Sequence, residues 1–301
     1  MSQDTMPTEI TEGAQDTQGA EVAEGFTLPA PFVAPPATEP LTPKETITVP
    51  ARHNPTLQRV LERVNTDEDL HAIWRCQNVT AVDRLKMTDH GPVHVQIVAN
   101  SALRLLRLLA KAGVAASAVE RQGLTEDDAE VIVVLAALLH DAGMSVARAG
   151  HEEFSVVIAL PKLMELLEGI YTPAIRRVVV SETLHAIISH RAGGQPLTIE
   201  AGIVRVADAL DMAKGRSRIP FEAGAVNIHS VSAAAIDDVE IVSGETKPIR
   251  VEITMSNAAG LYQLDELLKE KLRGSGLEPY VEISAHINGE SDKRIFETFT
   301  I

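Results

Sequence analysis

His140 and Asp141 stand side by side where the apolar run Val131 to Leu139 ends, with Gly143 following directly after Ala142. A charged aspartate at the end of a buried helix is costly unless it is paired or bound to a cation. Imidazole nitrogen beside carboxylate oxygen is also a donor set for divalent transition metals. By itself the dipeptide fits a structurally paired aspartate better than a ligand, because such pairs occur by chance. Its surroundings carry more weight. Seven of the ten histidines fall between residues 71 and 190, most of them at the ends of expected helices. His94 precedes VQIVANSALRLL, His190 closes a helical stretch, and Asp208 sits inside VADALD. No nucleophile constellation competes, since Cys76 is alone and there is no G-x-S-x-G.

The elements that must hold these residues are helices from about residue 54 to 220. Asp89 can cap a helix with Pro92 in its first turn, ending at Gly113. Thr125 and Asp128 approximate a capping box. The helix they open, EVIVVLAALLHD, is apolar on all sides and reads as the central buried helix. Another begins near His151 and meets Pro161, where a kink or break is expected. Thr172-Pro173 opens a helix through RRVVVSETLHAIISH, and Thr198 caps IEAGIVRVADALDMA. At least five helices with short connections make an all-α bundle. After Phe221 the period changes. IDDVEIV, PIRVEITM, YVEISAHI and RIFETFTI read as strands, with the amphipathic helix GLYQLDELLKEKLRGSGL between the second and third. The expected fold class is therefore α+β: a helical domain over 54–220, then a small β-β-α-β-β domain over 221–301. Residues 1–50 hold eight of the sixteen prolines and eight acidic residues against one lysine, the composition of a disordered acidic tail.

Composition narrows the function classes. Net charge is −15, so broad nucleic-acid binding is not expected, although one locally cationic pocket would still admit a small phosphorylated substrate. A single cysteine excludes an internal disulfide and any multi-cysteine metal site. The longest apolar run is far short of the roughly 20 residues a membrane span needs. The opening MSQDTMPTEI lacks the pattern of a secretory signal, and the cytoplasm is the expected location.

The order His94, then His140-Asp141, then Asp208 resembles the HD-domain superfamily of metal-dependent phosphohydrolases, in helix context as well as residue type. LLHDAG is similar to the family's signature and VRVADALD to the helix that supplies its last aspartate. The resemblance covers about residues 80 to 220. His151 in GHEEFSVVIALPKL and His190 in SHRAGG resemble the further ligands of the bimetal branch, which includes the HD-GYP phosphodiesterases. The resemblance implies a first metal held by His94, His140, Asp141 and Asp208. It implies a second held by His151, His190 and the shared Asp141. That set suits Mn, Fe, Co, Ni or Zn. Two such ions would activate a water for attack on a phosphate ester, with Asp141 and His140 as the catalytic residues.

Two departures stand out. Met144 occupies the position where most of these families have a lysine, and no GYP triplet follows SHRAGG, which argues against cyclic di-GMP. Substrate phosphate is expected at Lys214, Arg216 and Arg218, a cationic cluster after the Asp208 helix, with Arg191, Arg148 and His185 as further candidates. His185 lies roughly 140° round its helix from His190, so only one of the two can point at an ion, and His190 is taken as the ligand. His90 shares a face with His94 as a further ligand or a cleft-lining residue. Asp211 could orient a ligand histidine or form a plain salt bridge. The implied function is hydrolysis of a phosphate ester or phosphodiester, of a nucleotide. The rival readings are an HD-type mixed-valence di-iron oxygenase and a non-enzymatic nucleotide sensor. The small C-terminal domain could cover the cleft, or dimerise the protein through its strand edges.

Overall fold

The computed structural model describes residues 46–214, 228–288 and 298–300. The fold class is α+β, a helical bundle followed by a small sheet. Asn54 opens α1 (Pro55–Thr66) by accepting the Leu57 amide, and Asp67 opens α2 (Glu68–Asn78) by accepting that of Leu70. The chain winds on as a π-turn over Val79–Arg84 and then enters α3 (Pro92–Lys111). Asp89 caps α3 from a distance: Gly91 holds the cap position, and the Asp89 carboxylate accepts the amides of Gly91 at 3.1 Å and His94 at 3.2 Å. Gly113 follows with φ 81°, the left-handed conformation that ends the helix.

A short α4 (Ser117–Gln122) leads to α5 (Glu126–Leu139), opened by the full Thr125–Asp128 capping box. Every residue from Val131 to Leu139 is buried, and α5 packs against α1, α3, α7 (Pro173–Ile188) and α8 (Ile199–Leu210). This is the central helix that its all-round apolarity requires. Between α5 and α7 lies α6 (His151–Leu166), which runs through Pro161 as a single helix, so the break expected there does not form. Proline withholds one hydrogen bond, from the carbonyl four residues back. That carbonyl belongs to Val157, whose side chain is solvent-exposed, so water can take the place of the missing amide.

The junction expected near residue 220 lies in 215–227, outside the described residues. A short α9 (Ile228–Ala234) precedes β1 (Ile236–Ser243) and β2 (Ile249–Met255). Next comes α10, made of Leu261–Gln263, a π-wound Leu264–Leu268 and Lys269–Leu272. It leads to β3 (Val281–Ile287), and β4 (Thr298–Thr300) completes the sheet in the order β1-β2-β3-β4. The β1–β2 and β3–β4 pairs are antiparallel. β2 and β3 are parallel, in register from Ile249–Val281 to Met255–Ile287, which is why a helix must cross between them. Alternate residues of β2 and β3 are buried, and with Leu264, Leu268 and Leu272 of α10 they join the same apolar core as the bundle.

Of the tail expected over 1–50, residues 1–45 lie outside the described residues, and the last five belong to the body. Ile47 and Val49 are buried, and the Ile47 amide and carbonyl both bond to Asn65. No helix among the described residues is long and apolar enough to cross a membrane.

Candidate metal centre

Five elements end at one point. His94 sits in the first turn of α3, and His140 and Asp141 close α5. His151 starts α6, His190 follows the end of α7, and Asp208 lies in the last turn of α8. The sequence builds this convergence locally. After Asp141 the chain makes a tight 3-10 turn over Ala142–Ser145. A Cβ on Gly143 would stand 2.0 Å from the His151 carbonyl oxygen and 2.6 Å from the Ser155 nitrogen. Only glycine lets α6 approach this closely, and the Gly143 amide donates to Ser155 Oγ at 2.8 Å. The start of α6, and His151 with it, is thereby pressed against the turn that carries Asp141.

The four histidines are almost fully buried, as is Asp141, and the Asp208 side chain is 16% exposed. Asp141 is the centre of the arrangement. Its Oδ2 lies 3.5 Å from His94 Nε2 and 3.2 Å from His140 Nε2. Its Oδ1 lies 3.2 Å from His151 Nε2 and 3.7 Å from His190 Nε2. Asp208 Oδ1 joins the first side, 3.4 Å from His94 Nε2 and 3.7 Å from His140 Nε2. Metal–nitrogen bonds of about 2.0–2.1 Å imply ligand–ligand edges of roughly 3.0–3.4 Å around one ion. The observed separations are close to that spacing.

The outer ring nitrogens fix the tautomers. His140 Nδ1 donates to Ala137 O at 2.8 Å, His151 Nδ1 to Arg148 O at 3.0 Å, and His190 Nδ1 to Ile187 O at 2.6 Å. His94 Nδ1 donates to Asp211 Oδ2 at 2.6 Å. Each partner can only accept, so the neutral rings present bare Nε2 lone pairs inward. Two such pairs face each other at 3.3 Å, His94 with His140 and His151 with His190. Acceptors facing acceptors beside two carboxylates require a shared cation, either a proton or a metal ion.

The electrostatics agree. Burial presses the His140 imidazole down, but Asp141 and then Asp208 favour its charged form and raise it to about 9. Burial, and then the charge on His140, push His190 down to about 3. Burial would raise Asp141, yet His140 beside it holds the carboxyl well below its usual range. Asp208 is held low in the same way, against burial, by Lys271 and by His140 and His94. The cluster thus stabilises positive charge between its carboxylates. Three overlapping groups of its residues have ligand atoms close enough to hold an ion: His94–His140–Asp141, His140–His190–Asp208 and Asp141–His151–His190. The cluster is compatible with divalent metal binding, and its nitrogen content fits transition metals better than calcium or magnesium.

A cavity of about 510 Å³ opens onto the cluster. Asp141, His151, His190 and Asp208 form part of its wall, with His90 and Asp211 beside them. Lys86, Arg148, Arg191 and Lys271 also line it. Leu85, Met87, Met212 and Leu267 give it an apolar part. The α+β part supplies Lys271, Leu267, Gln263 and Ala233 to the cavity wall.

The expected phosphate contacts fare differently. Arg191 lines the cavity and pairs with Glu152 at 2.9 Å, while Arg148 rests its guanidinium against Met144 Sδ at 3.8 Å. Met144 itself is fully buried. Lys214 is exposed, pairs with Asp237 at 3.0 Å and does not line the cavity. Arg216 and Arg218 lie outside the described residues. His185 Nε2 accepts the Leu197 amide at 2.9 Å, which ties down the loop after His190 and keeps His185 off the cavity wall. Burial lowers its pKa, as befits an acceptor. Lys271 escaped the sequence reading. The available signal was its spacing, three residues after the buried Leu268 and four after Leu267, which sets it at the edge of the apolar stripe of α10.

Residues 83–213 match the HD domain family. The chain is also 41% identical over 242 residues to the uncharacterized protein MJ1020 of Methanocaldococcus jannaschii, a match spanning 80% of this chain and 93% of that protein.

Proposed function

The chain belongs to the HD domain superfamily, and on that premise we propose that it is a metal-dependent phosphohydrolase, which hydrolyses a phosphate ester or phosphodiester of a nucleotide at a centre of two divalent transition-metal ions. His94, His140, Asp141 and Asp208 would hold one ion, and His151, His190 and the shared Asp141 the other. The single observation that carries this reading is the Asp141 carboxylate, whose two oxygens face two separate pairs of histidine nitrogens. Ions held there would supply a water of lowered pKa and polarisation of a phosphoryl oxygen.

The protein's own groups do the rest. Asp141 fixes the two halves of the centre relative to each other. The carbonyls of Ala137, Arg148 and Ile187, with Asp211, hold the four imidazoles in their ligating tautomer. Arg148 and Arg191 line the cavity and would offer further donors to the outer oxygens of the substrate, while the apolar wall would take its remainder. A cavity of about 510 Å³ lies within the size range of small-molecule sites. With two divalent ions in place, Lys86, Arg148, Arg191 and Lys271 would leave the wall positive despite Asp141, Asp208 and Asp211, which supports an anionic phosphate substrate over the small organic substrate of an oxygenase. The test is to load the full-length protein with Mn, Fe, Co, Ni or Zn and offer nucleotides and cyclic nucleotides, separating products chromatographically. Hydrolysis that needs metal and disappears in Asp141→Ala is expected. Failure with every metal, or oxygen uptake with a small organic substrate, would contradict the reading.

A further inference from the structure

The α+β part packs closely on α8, the helix that carries Asp208. A Cβ on Gly202 of α8 would stand 2.1 Å from the Ser275 carbonyl oxygen, so the backbone after α10 lies directly on α8. Arg205, buried one turn later, donates to Gly194 O at 2.7 Å, to Glu270 O at 3.3 Å and to Arg273 O at 3.4 Å. One guanidinium thus joins the loop after His190 to the end of α10. This clamp brackets Lys271.

The Lys271 ammonium contacts Asp208 Oδ2. The other oxygen, Oδ1, faces His94 and His140. Asp208 therefore presents one oxygen to the histidine cluster and the other to a lysine from a different part of the chain. Lys271 is 15% exposed and lines the cavity. The other cavity cations are engaged away from the cluster: Lys86 donates to Asp83 O, Arg191 to Glu152, and Arg148 touches Met144. Among the described residues Lys271 is the cavity cation in contact with a member of the cluster. An ammonium has three donors, and a carboxylate anchor aims the others while restricting the chain's rotamers.

We propose that Lys271 is a substrate-binding residue: anchored on Asp208, its ammonium donates to a non-bridging oxygen of the phosphoryl group seated on the centre, so that the α+β half completes the site. This rests on the phosphohydrolase reading above, and the test separates the two. Full-length protein loaded with Mn²⁺ is titrated with inorganic phosphate by calorimetry, and its metal content is measured alongside. Lys271→Gln should keep the wild-type metal content and bind phosphate about tenfold or more weakly, the loss of one charge-assisted hydrogen bond. Lys271→Arg, which keeps the charge, should recover most of the affinity. Unchanged phosphate affinity in Lys271→Gln would overturn the assignment. So would loss of metal in that variant, because Lys271 would then act only by positioning Asp208. Wild-type protein that holds metal but takes no phosphate would sink the phosphohydrolase reading, and this one with it. A second measurement needs no variant. Phosphate should slow acylation of Lys271 in the Mn²⁺-loaded wild type more than that of the exposed Lys214, read by peptide mass spectrometry. Equal slowing at both lysines would overturn the proposal.

Discussion

Asp211 Oδ2 lies 2.6 Å from His94 Nδ1, across 117 residues of sequence, and both side chains are buried. The carboxylate holds the ring so that Nε2 points at Asp141 and Asp208. Outer carboxylates of this kind orient a ligand and raise its basicity. Asp211→Asn keeps an acceptor but removes the charge, and should weaken metal binding by about 10- to 100-fold with little loss of folding. Competition with a chelator, read by bound metal, checks this; wild-type affinity would reduce the pair to a structural salt bridge.

Gly143→Ala should damage both stability and the centre. The added carbon meets backbone atoms of α6, which cannot give way as a flexible side chain can. Overpacking of this sort costs about 1–3 kcal/mol. Urea unfolding should show a lower midpoint, and metal content should fall because His151 is displaced. Wild-type values in both measurements would mean that α6 moves freely relative to the turn.

Gly202→Ala sets two effects against each other. Alanine favours a helix interior over glycine by about 1 kcal/mol. Its methyl group would collide with the Ser275 carbonyl, and the clash should win. The variant should melt at a lower temperature than the wild type. A higher melting temperature would show that the α+β half does not pack on α8 as described.

His185→Ala and His190→Ala should part company. His190 faces Asp141, whereas His185 accepts the Leu197 amide. Elemental analysis should find metal retained in the first variant and largely lost in the second. Loss of metal in both would bring His185 into the centre.

The helix positions of the donors could be read from the chain because they sit at helix boundaries, where capping residues and the apolar period are local signals, whereas their grouping into one ligand set was implied by the resemblance to the HD-domain superfamily. The Thr125–Asp128 box and the apolar run to Leu139 place His140 and Asp141 without any knowledge of tertiary contacts. The strands were legible for the same reason, since Ile249–Met255 and Val281–Ile287 alternate strictly. Contacts between distant segments left weaker traces. Nothing near Lys271 marks it as a partner of Asp208, 63 residues away, because an ion pair between elements has no sequence period. Lys214 was conspicuous as part of a cationic run, yet its charge is directed at Asp237. Pro161 signalled a break that solvent access at Val157 makes unnecessary.

The most direct test is the metal content of the full-length protein, loaded with a transition metal, desalted and analysed for bound ions, beside Asp141→Ala treated identically. The wild type should hold about two ions per chain, as a two-metal centre requires, and the variant should lose most of both because Asp141 serves each side. A wild type that retains no transition metal, or an Asp141→Ala variant that keeps the full complement, would contradict the bridged two-ion centre.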